Sequence, residues 1–198
     1  MKIHHLFILL TVSLVACTSQ SASFLKKKTL KTLTNQKIAL SQFTENKPFV
    51  LVFYSTDCPI CQKYVPILRG VSDSFPDVKF ILIFTKWDSL QATKNFARSI
   101  TWDRRASSTN ASNDFGYVWD YKNKLIKNLK ATTTPEAFFY DINHKLQYRG
   151  AIDNWFFALG RYRPQATEHY LKNALTQYLK NEKISVSKTN PIGCLIEY

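Results

Sequence analysis

Two thiols spaced by two residues, Cys58 and Cys61 in Cys58-Pro59-Ile60-Cys61, are the part of this chain best suited to chemistry. They follow an apolar run, Phe49 to Tyr54, and open a stretch with helical spacing. A Cys-x-x-Cys pair at a strand-to-helix turn is a dithiol placed to exchange electrons. At a helix start the unpaired N–H groups and the macrodipole favour an anion, so a Cys58 thiolate is stabilised there. Pro59 suits the first helical position, since it has no N–H to leave unpaired and its φ is already set. Cys61 lies one turn inside, close enough to Cys58 to close a small disulfide ring, and should have the higher pKa. The chemistry follows: the Cys58 thiolate exchanges with a disulfide, a mixed disulfide forms, and Cys61 resolves it.

The elements that must position this pair are legible in the pattern. Phe49–Tyr54 is continuously apolar and β-rich, which predicts a buried central strand. Pro59 to Ser74 predicts a helix with Ile60, Tyr64, Ile67, Leu68 and Val71 on one face, kinked at Pro66. Val78 to Thr85 predicts a second buried strand, and Asp88 to Ser99 a helix opened by Asp88 and Ser89 as caps. Ile100 to Trp102 reads as a short strand, Arg104 to Asn113 as a loop, and Phe115 to Asn128 as a helix that Gly116 interrupts or delays. Glu136–Ile142 and Lys145–Gly150 predict an antiparallel hairpin turning at Asn143-His144. Thr29 to Phe43 holds a second short hairpin. Thr167 to Asn181 predicts a helix, and an apolar-flanked tail closes the chain.

The first residues read differently. A short basic start is followed by the apolar run Leu6 to Ala16, too short to span a bilayer as a helix and suited to a signal h-region. Leu14-Val15-Ala16-Cys17 resembles the lipobox of bacterial lipoproteins, in which the signal is cut before a cysteine that then carries the lipid. Residues 1–16 are therefore expected to be a signal peptide, and residues 17–28 a lipidated Cys17 and its tether. Thr18 after the cysteine resembles an outer-membrane address more than an inner-membrane one, on the periplasmic side. An exported chain meets an oxidising compartment. The net charge is +13, which raises nucleic acid as a partner. The basic residues are scattered, no nucleic-acid motif is present, and the signal exports the chain, so nucleic acid is excluded. The charge suits an anionic lipid surface, an acidic partner, or simply a solvated basic face.

Residues 29–182 resemble the thioredoxin superfamily, closest to its exported redoxin branch of TlpA-like and AhpC/TSA-like proteins. Four features carry the likeness: strand, CPIC and helix in succession; Pro66, five residues after Cys61; Thr132-Thr133-Thr134-Pro135-Glu136-Ala137-Phe138-Phe139-Tyr140-Asp141; and Tyr148-Arg149-Gly150 in the next strand. The resemblance implies an α/β fold, a three-layer α/β/α sandwich around a central mixed β-sheet. It implies a thiol–disulfide oxidoreductase acting on protein thiols and disulfides, without a cofactor. It also implies that Thr134-Pro135 is cis, and that this loop lies against the dithiol and offers its backbone to an extended partner segment. The alternative for Pro135 is a plain strand-entry proline.

The chain also departs from its relatives. The buried acid that thioredoxins place six residues before the first cysteine is Val52 here. Glu136 is a candidate proton relay in its place, or else an exposed strand residue. Peroxidases of the family need Pro-x-x-x-Thr/Ser-x-x-Cys; Ser55 matches the hydroxyl, but Leu51 stands where the proline belongs. Thiol peroxidase activity is thus a second reading. A Cu(I)-binding chaperone of Sco type is a third, against which stand the two-residue cysteine spacing and the expectation that His144 and His169 are surface residues; no metal site is expected. Cys194, in the tail 183–198, is either a third redox thiol, able to pair with Cys58, Cys61 or a partner, or a buried small hydrophobe. The aromatic segment Trp155-Phe156-Phe157 is either a docking surface or packing under a loop.

Overall fold

The computed structural model describes residues 24–25, 28–105 and 116–197; the signal-like segment and Cys17 lie outside the described residues. A hairpin of β1 (Thr29–Lys31) and β2 (Lys37–Ala39) leads through the short α1 (Leu40–Phe43) to β3 (Phe49–Tyr54). Then come α2 (Pro59–Ser74), β4 (Lys79–Phe84), α3 (Leu90–Arg105), β5 (Gly116–Trp119) and α4 (Lys124–Leu129). The second half holds β6 (Thr133–Thr134), β7 (Glu136–Tyr140), β8 (Leu146–Gly150), a hairpin of β9 (Phe156–Ala158) and β10 (Arg161–Tyr162), α5 (Tyr170–Leu179) and β11 (Cys194–Leu195).

The main sheet runs β5-β4-β3-β7-β8. β3 is parallel to β4 and antiparallel to β7, so the sheet is mixed and β3 is central. Every residue of β3 is buried, because strand side chains alternate and both faces are covered. Val50, Val52 and Tyr54 meet Ile60, Cys61, Tyr64 and Leu68 of α2 and Leu171, Ala174 and Leu175 of α5. Phe49, Leu51 and Phe53 meet Leu40 of α1 and Leu125, Ile126 and Leu129 of α4. Helices thus cover both faces of the sheet, as the resemblance implies. Among the described residues no helix is long and apolar enough to cross a membrane.

Three local expectations are corrected. Residues 116–119 form a strand, not helix: Tyr117, Val118 and Trp119 favour extended backbone and pair in parallel with Leu82 to Phe84. The helix begins only after Asp120, whose buried carboxylate accepts from the amides of Lys124, Leu125 and Ile126 at 2.7–3.1 Å. Ile100 to Trp102 lies inside α3 rather than in a strand. His144 is buried, not exposed, because the β7–β8 turn curls under the sheet and sets its ring edge-on to Phe49 at 5.3 Å.

The tail is part of the domain. Arg149 donates to the Ser187 carbonyl and accepts from the Thr189 amide, each at 3.0 Å, so residues 187–189 run along β8. Gly150 has φ +136°, and a Cβ there would overlap Thr189. A side chain at this position would push the tail off the sheet.

Candidate active site

β3 delivers its chain to the loop Ser55-Thr56-Asp57, and Cys58 follows at the N-cap of α2. No side chain caps this helix start, and Pro59 occupies its first turn. The orphan amides of the turn therefore face the Cys58 end. The loop is fastened by Asp88, a fully packed carboxylate. One of its oxygens accepts from the Thr56 amide at 2.7 Å, the Thr56 hydroxyl at 2.8 Å and the Ser55 hydroxyl at 3.2 Å. The other accepts from the amide and hydroxyl of Thr85, both at 3.0 Å. Asp88 thereby ties the end of β4 to the cysteine loop. It is not a cap for α3, where Ser89 accepts from the Ala92 amide instead. An Asp three residues past a strand-end threonine was the only local signal for this role.

Opposite Cys58 lies β6. The Thr134–Pro135 peptide bond is cis, as the resemblance implies. The Thr134 carbonyl lies 3.3 Å from the Cys58 sulfur, a contact that becomes an S–H···O hydrogen bond when Cys58 is reduced. The structure also places the third cysteine, for which pairing with Cys58 is one of the open readings. Cys58 is joined not to Cys61 but to Cys194, across 136 residues and a Cα–Cα separation of 6.1 Å. Among the described residues Cys61 is the free thiol, fully buried one turn behind Cys58. The tail reaches Cys58 because β11 pairs antiparallel with β6, Cys194 opposite Thr134 and Leu195 opposite Thr133.

Burial pushes the Cys61 thiol up to about 12 from an ordinary 9.0; the Ser55 backbone and the Thr134 side chain act in the opposite direction, and the Asp88 charge adds to the rise. Below pH 9 this thiol is neutral in folded and unfolded chains alike. Between 9 and 12 the unfolded chain ionises while the folded one keeps its proton, so stability falls as pH rises. With all thiols kept reduced, the protein is expected to lose up to about 1.4 kcal/mol per pH unit in that window through Cys61 alone. A Cys61→Ala variant should show a shallower decline between pH 9 and 10, before the buried tyrosines, ordinarily 10.0 and raised by burial, add their own slope. Denaturant unfolding at a series of pH values checks this, and parallel curves for the two proteins would contradict it.

Glu136 does not reach the thiols. It pairs across from Phe53, on the sheet face away from Cys61. Its carboxylate is 1% exposed, accepts from Arg149 at 2.7 Å, and accepts from the Thr132 amide at 2.8 Å. It is neither an exposed strand residue nor placed as a relay. Among the described residues no group of three His, Cys, Asp or Glu side chains could hold a metal ion. His144 is beneath Phe49 and His169 is at the start of α5, so neither joins the cysteines. Trp155 and Phe156 pack against Tyr64, while Phe157 remains exposed beneath Arg161 and Arg163. A cleft of about 260 Å³ opens at the site, walled by Ser55, Cys58, Thr85, Trp87 and Thr134 with the tail laid across it. Trp87, which the sequence did not single out, forms its rim and is 61% exposed. Larger hollows lie elsewhere, beside Phe43 and beside Lys28, away from the cysteines.

A cysteine at a helix N-cap, a buried thiol one turn behind it and a cis-proline loop against it define a redoxin of the thioredoxin superfamily. The chain belongs to the AhpC/TSA family, whose model matches residues 22–149. Cys194 and the tail lie beyond that match. No curated protein sequence matches this chain. Among solved structures it is similar to a hypothetical protein from Sinorhizobium meliloti, at 19% identity over 86% of this chain and 90% of the other, TM-score 0.69. An uncharacterized conserved protein from Geobacillus kaustophilus is similar at 19% identity, 86% and 87% coverage, TM-score 0.69. A secreted Mycobacterium tuberculosis disulfide oxidoreductase homologous to E. coli DsbE is similar at 22% identity, 63% and 82% coverage, TM-score 0.51. These likenesses establish the shared fold.

Proposed function

We propose that this protein is a thiol–disulfide oxidoreductase in which Cys58 is the nucleophile and Cys61 and Cys194 are alternative partners for it. The observation that carries the reading is the Cys58–Cys194 disulfide lying over a free Cys61. The Cys61 thiol gives its proton to solvent and attacks the Cys58 sulfur, which forms Cys58–Cys61 and breaks Cys58–Cys194. The electron pair leaves on Cys194, which takes a proton from water, so the step is an exchange with no net oxidation. A dithiol partner then attacks Cys58, Cys61 leaves as a thiolate, and the partner's second thiol completes its own oxidation; the same steps run backwards reduce a disulfide. The difference between the two reduction potentials sets the direction. The sequence Leu14-Val15-Ala16-Cys17 supports a lipid tether at Cys17 that holds the domain at the periplasmic face of the envelope, where protein thiols and disulfides are its partners.

Equilibration with a graded glutathione couple, acid quenching and mass-spectrometric mapping test this. Two linkages to Cys58 are expected, one to Cys194 and one to Cys61, with Cys194→Ser leaving only the second and Cys61→Ser only the first. A Cys58 that stays reduced while its neighbours oxidise would overturn the reading. One observation favours a peroxidase as a second reading: a remote thiol bonded to Cys58 is placed to capture a sulfenic acid formed there. Against it, the Ser55 hydroxyl donates to Asp88 instead of facing a peroxide at Cys58. Hydrogen-peroxide consumption with a dithiol donor separates the two.

A further inference from the structure

The tail does more at this site than supply a sulfur. Strand pairing of Cys194 and Leu195 with Thr134 and Thr133 continues in the Ile196 amide, which donates to the Thr132 carbonyl at 3.0 Å. The Thr134 hydroxyl donates to the Cys194 carbonyl at 3.4 Å, and Trp87 Nε1 and Asn123 Nδ2 donate to the Glu197 carbonyl at 3.4 and 3.3 Å. Most of these bonds go to backbone, as they do when an extended peptide adds to an exposed edge. Side chains alternate accordingly. Leu195 is 82% exposed and touches little, while Ile196 is 8% exposed and joins the aliphatic and aromatic cluster beneath the sheet. Gly193 is buried against the cis-proline loop, and a Cβ there would overlap the Thr134 carbonyl and crowd its carbon.

We propose that residues 193–197 are an internal surrogate for the protein's substrate, occupying the edge where an extended cysteine-bearing polypeptide docks. The site selects partner segments of the same pattern: glycine immediately before the reactive cysteine, and a branched aliphatic residue two positions after it. The proposal rests on Cys58 being the nucleophile. The glycine is required because the Thr134 carbonyl must come close enough to pair with the incoming strand. The aliphatic residue is required because its side chain points into the cluster that Ile196 fills. The residue between them is free to vary. The tail leaves this edge when Cys61 displaces Cys194 from Cys58, and its anchor at residues 187–189 keeps it at hand to return.

The test uses the full chain carrying Cys17→Ser, Cys61→Ser, Cys194→Ser and Gly193→Val, so that Cys58 is its one thiol and the tail is kept off the edge. A peptide with the sequence of residues 190–197, its cysteine activated as a mixed disulfide with thionitrobenzoate, is mixed with it and release of the chromophore is timed. The parent peptide is expected to label Cys58 at least tenfold faster than one with valine in place of its glycine, and several-fold faster than one with serine in place of its isoleucine. Equal rates for the three peptides overturn the proposal. Cys58 reactivity towards free dithionitrobenzoate is the reference: if Cys58 fails there too, the reading of Cys58 as the nucleophile falls instead. In the otherwise unaltered chain, Gly193→Val is expected to shift the oxidised protein from the Cys58–Cys194 to the Cys58–Cys61 linkage. Retention of the Cys58–Cys194 linkage at its original yield also overturns the proposal. Circular dichroism confirms that the variant is folded, and the peptide measurement stands independently of it.

Discussion

Cys58→Ser is expected to lower the rate of disulfide exchange by several orders of magnitude, to near the uncatalysed background, because the attacking thiolate is lost. Neither of the other two thiols at the site can replace it. Cys61 is fully buried and its thiol is pushed up to about 12, so almost none of it is thiolate at neutral pH. Cys194 sits on a two-residue strand with no helix terminus behind it. The variant should still fold, because serine is a favoured N-cap residue and Cys58 occupies that position. Its stability belongs beside that of the reduced wild type, since losing the Cys58–Cys194 bridge alone removes about 2–4 kcal/mol. Turnover of a glutathionylated peptide, followed with both proteins, reads the effect. Residual activity above about a tenth of wild type, well short of the loss a nucleophile's removal brings, would move the nucleophile to Cys61 or Cys194.

The second large effect is on stability. Arg149→Met is expected to cost about 3 kcal/mol, lowering Tm by about 6–12 °C for a chain of this size. The Glu136 carboxylate is 1% exposed, and Arg149 supplies its charged partner at 2.7 Å. The same guanidinium donates to the Lys130 carbonyl at 3.0 Å and lies over the Phe138 ring. Without it, Glu136 keeps only the Thr132 amide and hydroxyl and remains a buried, uncompensated charge. The double variant Glu136→Gln with Arg149→Met should recover much of the loss, because no charge is then left in the interior. Calorimetry on the single and double variants checks both claims. A loss below about 1 kcal/mol in the single variant would show that water reaches the pair.

Much of this molecule is written in short-range pattern. A six-residue apolar run rich in valine and aromatic residues is too short for a buried helix and suits a strand covered on both faces, so Phe49–Tyr54 announced the middle of the sheet. The proline after Cys58, the alternation through Glu136–Tyr140 and the Asn143-His144 turn are all local signals, and each marks its element within a few residues. The family likeness drew on the same marks, with Pro66 and Thr134-Pro135 added. The segment at residues 116–128, strand at first and helix only from Lys124, is a case where local signals compete. Its periodicity suits a helix, yet β5 forms because an unpaired edge of β4 is waiting beside it. Its helix begins only where Asp120 can cap it.

The sequence by itself therefore located the sheet's centre, the cysteine at the start of the helix and the fold that presents it. Which sulfur Cys58 binds was left to the tertiary structure. Cys61 is three residues away and Cys194 is 136 away, and no periodicity measures a distance that depends on how the tail returns. The return is set by contacts between residues far apart in the chain: Gly150 clearing a path for Thr189, and Gly193 letting Cys194 approach Thr134. Asp88, Glu136 and His144 belong to the same class. Their partners are chosen by packing, and packing exists only once the sheet and its helices have come together.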